Sequence, residues 1–266
     1  MRTYRLICCI ALAAASPSLA KAQGTANDLE TDLGARLSIS ADKKIAKGLH
    51  LTLDGEARLS DNFSNPGNYR AGLGISYKLN KTFKFGAGYV FIEKKNSSGV
   101  WKPRHRFYVD GKATIRSGDW RFSLKERMQL THRNVNNPFQ TTPNSLSLKS
   151  RFKVAYKGLS TVTPYGYLEL RNVFNDPACS ATWSTTSLAY GDYSFLGYGD
   201  AYLNRVRGCL GAEWKAGKRH TFDFFILTDY CYDKNIDTNH EGTTLKSLTY
   251  DRALKSGLGI GYQFSF

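Results

Sequence analysis

Three sets of side chains in this sequence can do chemistry: five scattered histidines, a few cysteines, and a large number of charged residues at alternate positions. His50, His105, His132, His220 and His240 stand singly, with no H-x-H or H-E-x-x-H spacing, so no metal site is indicated and none is expected. A surface hydrolase needs a serine or an acid held against a histidine near a rim. His132 beside Thr131 is the only place where that chemistry could be sought. Histidines scattered over a surface or a lumen are the plainer reading, and the chain is expected not to be an enzyme. It has no phosphate-binding glycine loop and no dinucleotide fingerprint, so no cofactor is expected either.

Of the five cysteines, Cys8 and Cys9 sit near the N-terminus, where Ile7 is not the small residue that a lipidation site requires. Cys179, Cys209 and Cys231 remain. A bridge from Cys179 to Cys231, both in extracellular parts, is the better pair in a compartment that permits it. Three free thiols are the equal alternative.

The charged set is the most informative. Arg70, Arg104, Arg106, Arg116, Arg121, Arg151, Arg205 and Arg207 all fall on one parity of alternating segments, together with Lys78, Lys125, Lys149 and Lys153. The acids on that parity are fewer: Asp54, Glu56, Asp110, Glu169, Glu213, Asp223 and Asp229. Rings of Arg and Lys select for anions. Over the whole chain there are 37 Lys and Arg against 22 Asp and Glu. Such an excess suits nucleic acid, an anionic membrane surface or an anionic solute.

The elements that carry these charges are strands. NYRAGLGISYKLN sets Tyr69, Ala71, Leu73, Ile75, Tyr77 and Leu79 against Arg70, Gly72, Gly74, Ser76, Lys78 and Asn80, which is strict period-two alternation. TFKFGAGYVF and SLSLKSRFKVAYK repeat it. Eleven such segments lie near residues 30–40, 49–60, 68–80, 83–94, 103–116, 119–132, 145–157, 162–174, 202–215, 219–232 and 253–266. Each is close to the roughly 9 to 11 residues of a tilted membrane-spanning strand. Tight turns (KLNKT, RSGDW, KGLST, KAGKRH) alternate with long polar connections, the asymmetry of an outer-membrane barrel with its short turns in the periplasm. No soluble core of this size buries so many charges, and a small barrel filled with Phe, Tyr and Leu would be overpacked. Apolar residues toward lipid and charges toward a wet lumen resolve both difficulties.

The expected architecture is therefore all-β: a transmembrane, antiparallel, up-and-down barrel of about 10–12 strands. Three points stay open. Ten strands from Leu49 onward satisfy the even count of bacterial barrels, so residues 30–40 are a partial strand, a lumen insert, or the sign of a strand missed between Asn175 and Asp200. Alternation from Trp120 aims Glu126 at lipid, and a bulge turning it inward is the expected remedy. The stretch from Asn175 to Asp200, dense in Tyr, Trp, Ser and Gly, is either a binding surface or a loop packed on itself over the mouth.

The N-terminus supplies the compartment. MRTYRLICCIALAAASPSLAKAQ has Arg2 and Arg5, an apolar run and an Ala20-Lys21-Ala22 cleavage motif, the layout of a leader for the Sec route over residues 1–22. Export argues against nucleic acid as a partner. The remainder, residues 23–266, reads as one domain, and no later apolar run is long enough for a spanning helix.

RHRFYVDGKATIR, KERMQL and GYLELRNVF, the first hairpin from Asp32 to Leu59 and the aromatic last strand resemble an uncharacterised family of Gram-negative outer-membrane β-barrel proteins. That family is grouped as a domain of unknown function and described as candidate porins. The resemblance covers the mature chain and implies a porin-like or structural barrel in the outer membrane. It implies outer-membrane lipid and lipopolysaccharide as surroundings and the barrel-assembly machinery as a partner. Tyr262, Phe264 and Phe266 in GYQFSF are similar to the assembly signal such chains carry. A barrel enzyme acting on lipid or peptide, and an adhesin or binding protein, are the competing functions.

Overall fold

The computed structural model of the protein describes residues 25–96 and 98–266, so the expected leader lies outside the described residues. Eleven strands, with no helix among the described residues, make a closed barrel. They are β1 (Thr25–Ala46), β2 (Leu49–Ser60), β3 (Asn65–Lys78), β4 (Phe83–Lys95), β5 (Trp101–Ser117), β6 (Trp120–Arg133), β7 (Asn144–Tyr156), β8 (Val162–Ser184), β9 (Ala189–Lys215), β10 (His220–Thr238) and β11 (Leu245–Ser265).

Consecutive strands pair antiparallel, and the barrel closes where β1 lies parallel to β11. An odd number of up-and-down strands can close in no other way, because its first and last members run in the same direction. This decides the place of residues 30–40. They are neither a lumen insert nor half a strand but the middle of β1, paired with β2 on one side and β11 on the other. The even count starting at Leu49 is thus corrected to eleven strands. Without β1, both β2 and β11 would be left with an open edge.

One end of the barrel is made by short turns, with Gly48 (φ 80°) and Gly118 (φ 55°) supplying the left-handed conformation that tight reversals need. At the other end the last four strands outgrow the wall. β7 leaves β8 after Val173, and β10 leaves β9 after Arg205, so beyond those points β8 and β9 pair only with each other. The stretch from Asn175 to Asp200 is therefore not a loop but the continuation of a hairpin that turns between Ser184 and Ala189.

The apolar parity faces outward all round. Leu53, Phe107, Val109, Leu210 and Ile226 are each more than half exposed, while Glu169, Arg207 and Asp229 on the opposite parity are buried. Aromatic side chains gather on the outer surface near the short-turn end, where Trp120 packs at a tilt against Tyr156 (5.0 Å), Trp214 stacks on Phe222 (5.5 Å) and Phe222 tilts against Tyr262 (5.2 Å). Tyr69 on Trp101 (5.3 Å) does the same toward the opposite end. The buried apolar residues form two small groups. Ala155, Tyr165, Cys209 and Leu227 sit inside the wall; Ile236, Leu245 and Leu248 join the β10–β11 hairpin to Cys179, Ala181, Tyr190 and Tyr193 of the β8–β9 hairpin.

Candidate site in the barrel lumen

Because each side chain projects perpendicular to its strand, residues paired across neighbouring strands on the inner parity form rows around the lumen. One row runs Lys78, Lys84, Lys112, Lys125, Arg151 across β3 to β7, so that base faces base at every step. It continues as Glu169, Arg207, Asp229, Lys255, Asp32 across β8 to β1, where charges alternate in sign. A second row carries Arg127, Lys149, Arg171 and Arg205 on β6 to β9. Like charges directly opposite destabilise a sheet. This half of the wall is thus built against its own stability.

The alternating half is neutralised by a chain of ion pairs. Arg151 donates to Glu169 (2.5 Å), which also meets Arg205 (3.5 Å) and Arg207 (3.6 Å). Arg207 donates in turn to Asp229 (2.5 Å), and Asp229 accepts from Arg36 at 3.0 Å. Arg36 reaches over β11, whose inward positions Gly257, Gly259 and Gly261 have no side chain in the way. Smaller groups lie elsewhere: Glu56 with Arg58 and Arg70, Asp110 with Lys125 and Arg127, Glu213 with Lys153 and Lys157.

Three cavities stack along the axis between these side chains, of about 650, 410 and 520 Å³. The first two share Arg36, Arg58, Arg70 and Arg106, and the last two share Arg127, Arg151 and Lys153. Of the bases singled out in the sequence, Arg70, Arg104, Arg106 and Arg205 line the cavity toward the long hairpins. Arg70, Arg106, Arg151 and Arg207 line the middle one. Arg116 and Arg121 face each other across β5 and β6 near the short-turn end. Lys78 stands on the same inner parity at the foot of β3. Arg36, Arg58, Arg127 and Arg171 belong with these groups. Arg58, Arg127 and Arg171 carry the signal of inward parity, whereas Arg36 stands in residues 30–40, whose place alternation by itself does not fix.

Glu126 does not turn inward. The register of β5, β6 and β7 runs through it unbroken, Gly111 and Ser150 are its neighbours on the outer surface, and the Ser150 hydroxyl donates to its carboxylate at 2.6 Å. No bulge forms because that hydroxyl provides the partner on the outside. His132 also faces outward, bonded through Nδ1 to Asn144 Oδ1 at 2.8 Å. Thr131 points into the lumen and is buried. The outward neighbours of His132 are His105, Leu130 and Asn144, none of them a hydroxyl or thiol, so no nucleophile and base meet there.

Cys179, Cys209 and Cys231 are free thiols. The expected pair is kept apart by register. Cys179 packs against the cluster of Ile236, Leu245 and Leu248, and Ile236, level with Leu248 across the β10–β11 ladder, is five residues beyond Cys231 on β10. At about 3.3 Å per residue that is roughly 16 Å, against the ~7 Å limit for a bridge.

The two long hairpins and residues 134–143 form a cap beyond the wall. Asn137 donates to Thr238 Oγ1 (3.2 Å), Gln140 to Asp237 (2.8 Å), Tyr198 to the Pro138 carbonyl (3.0 Å), and Phe139 packs edge-on against Phe195 at 5.2 Å. Lys234 ties β10 to Asp200 and to the Pro177 carbonyl.

Residues 34–240 match the family described as "Protein of unknown function (DUF2490)". No curated protein matches the chain.

Proposed function

As a chain that belongs to the DUF2490 family, this protein is, we propose, an outer-membrane β-barrel whose basic lumen passes small anionic solutes. The observation that carries the proposal is the row of opposed bases from Lys78 to Arg151. A wall that places like charges face to face gives up stability, and its return is a positive field along a polar path. The outer surface supports the setting. Its Leu, Ile and Phe side chains would make an apolar patch far beyond the few hundred Å² common on a soluble monomer, whereas lipid receives them at no cost. The aromatic side chains near the ends fit the interfacial girdles of membrane barrels.

In this setting the short turns lie in the periplasm and the cap lies outside the cell. Outer-membrane lipid and lipopolysaccharide surround the apolar face, the barrel-assembly machinery inserts the chain by way of its last strand, and the leader directs export. Reversal potentials of the purified protein in a planar bilayer, measured across a salt gradient, test the reading. The expected outcome is a small conductance with anion preference. Cation preference overturns the functional assignment of the basic lumen, and no conductance at all reduces the proposal to a structural barrel.

A further inference from the structure

We infer that the lumen cavity nearest the cap is a binding site for a small polyvalent oxyanion of the phosphate class, held by Arg104, Arg106, Arg171 and Arg205. This deepens the anion-passing reading and rests on it for the route by which the ligand arrives. The cavity is about 650 Å³, and ten basic residues line it against four acids, Asp32, Asp61, Asp229 and Asp233. None of those acids is hydrogen-bonded to the four arginines among the described residues. Asp229 is shared by Arg36 and Arg207, Asp233 accepts from Asn204, Asp32 from the Asn62 amide at 3.3 Å and Asp61 from Asn65 at 3.0 Å.

The four arginines are crowded by one another. Arg171 stands directly opposite Arg205, Arg104 directly opposite Arg133, and the charge of Arg171 acts on Arg104, Arg106 and Arg205 alike. The buried Nε atoms of Arg104, Arg171 and Arg205 have no protein acceptor among the described residues. Among the described residues the one ion pair of Arg205 is with Glu169, at 3.5 Å, an acid already held by Arg151. Arg106 gives its Nε to the Thr131 hydroxyl (2.9 Å), which leaves the rest of its fork free to turn inward. Guanidinium forks present paired donors whose spacing matches oxyanion oxygens. A ligand with several acceptor oxygens and two charges would serve several forks at once and remove their repulsion, which chloride, with one charge and no directional acceptor, does poorly.

The test is a titration of the purified, folded protein in detergent micelles with inorganic phosphate, at an ionic strength held constant with chloride. Heat of binding and thermal midpoint are the two readouts. Saturable binding and a raised midpoint are expected, with Arg104→Gln and Arg171→Gln each weakening phosphate at least about tenfold, the scale of one lost charged hydrogen bond. Lys47→Gln, in the β1–β2 turn, should bind as the unaltered protein does. In chloride alone both arginine variants should melt no lower than the unaltered protein, since each removes a repelled charge; lower melting would show that the arginines are structural and overturn the site. So would phosphate acting no differently from chloride, malonate binding as tightly as phosphate, or variants that bind undiminished. The titration of the unaltered protein against chloride is decisive even where a variant fails to fold. Binding is read without a bilayer. A protein that binds phosphate but carries no current keeps this site and loses the transport reading, and an anion current without saturable phosphate binding does the reverse.

Discussion

Glu169 is the residue on which the lumen most depends. It is 2% exposed and is the only acid among the described residues that bridges Arg151, Arg205 and Arg207. Glu169→Gln keeps the shape but leaves three guanidinium groups facing one another with a buried charge uncompensated. Breaking such a buried network costs on the order of 3 kcal/mol, so the urea midpoint of the barrel in lipid vesicles should fall while any anion preference sharpens. An unchanged midpoint would mean that water screens the cluster. The cysteines allow a second check. Burial pushes the Cys179 thiol up from its ordinary range, which keeps it protonated and slow toward thiol reagents near neutral pH. Because all three are unbridged, denatured but unreduced protein lacking residues 1–22 should titrate three thiols, and a count of one would restore the Cys179–Cys231 bridge.

At the scale of the element, β11 does two things at once. It completes the apolar surface through Leu258, Ile260, Tyr262 and Phe264, and it forms the parallel seam with β1. Phe266 closes that seam at its foot: its amide donates to the Asp42 carbonyl (3.0 Å), its own carbonyl accepts from the Lys44 amide (3.1 Å), and its ring packs on Phe264 at 5.3 Å. Changing Phe264 and Phe266 to Ser, or deleting Phe266, should reduce the heat-modifiable, membrane-inserted band. The two changes separate the causes. The double Ser variant keeps the seam's backbone bonds, so a loss there reports on the aromatic side chains, whereas a loss only on deletion reports on the seam. Normal levels in both would remove the assembly role from this strand.

For the whole molecule, the barrel and its cap are separable. Beyond Val173 and Tyr202 the β8–β9 hairpin has no strand neighbour in the wall; it is held by Ile236, Leu245 and Leu248 and by residues 134–143. Removing residues 179–196 and rejoining the chain at the paired positions Ala178 and Gly197 should leave the barrel folded and heat-modifiable. Because this hairpin belongs to the cap beyond one mouth, single-channel conductance should rise. A shortened protein that no longer folds would make the cap part of the barrel's stability, and an unchanged conductance would place the resistance among the ion pairs inside.

Period two was legible in the sequence because every strand presents one face outward and the other to the lumen, so Leu53, Phe107 and Leu210 had to alternate with Asp54, Arg106 and Arg207 whatever their neighbours. Eleven segments, the inward parity of the bases and the aromatic last strand all follow from that one constraint. Parity within a strand says nothing about which residue lies opposite it on the next. Only the register made Lys78, Lys84, Lys112, Lys125 and Arg151 a single row, gave Glu126 the hydroxyl of Ser150, and moved Cys179 away from Cys231. Closure, too, is a property of the assembled sheet: residues 30–40 look the same as an edge or as a seam, and the fold chose the seam because β11 and β2 each had an open edge to fill. The stretch from Asn175 to Asp200 was unreadable for the opposite reason. Its partners are its own other half and the tips of β10 and β11. Pro177, Cys179, Ala181 and Trp183 do alternate with Ser180, Thr182 and Ser184, but on the returning half Tyr193 and Phe195 fall on one parity and Leu196 and Tyr198 on the other, and the pairing shifts register repeatedly, so the alternation does not run through the hairpin.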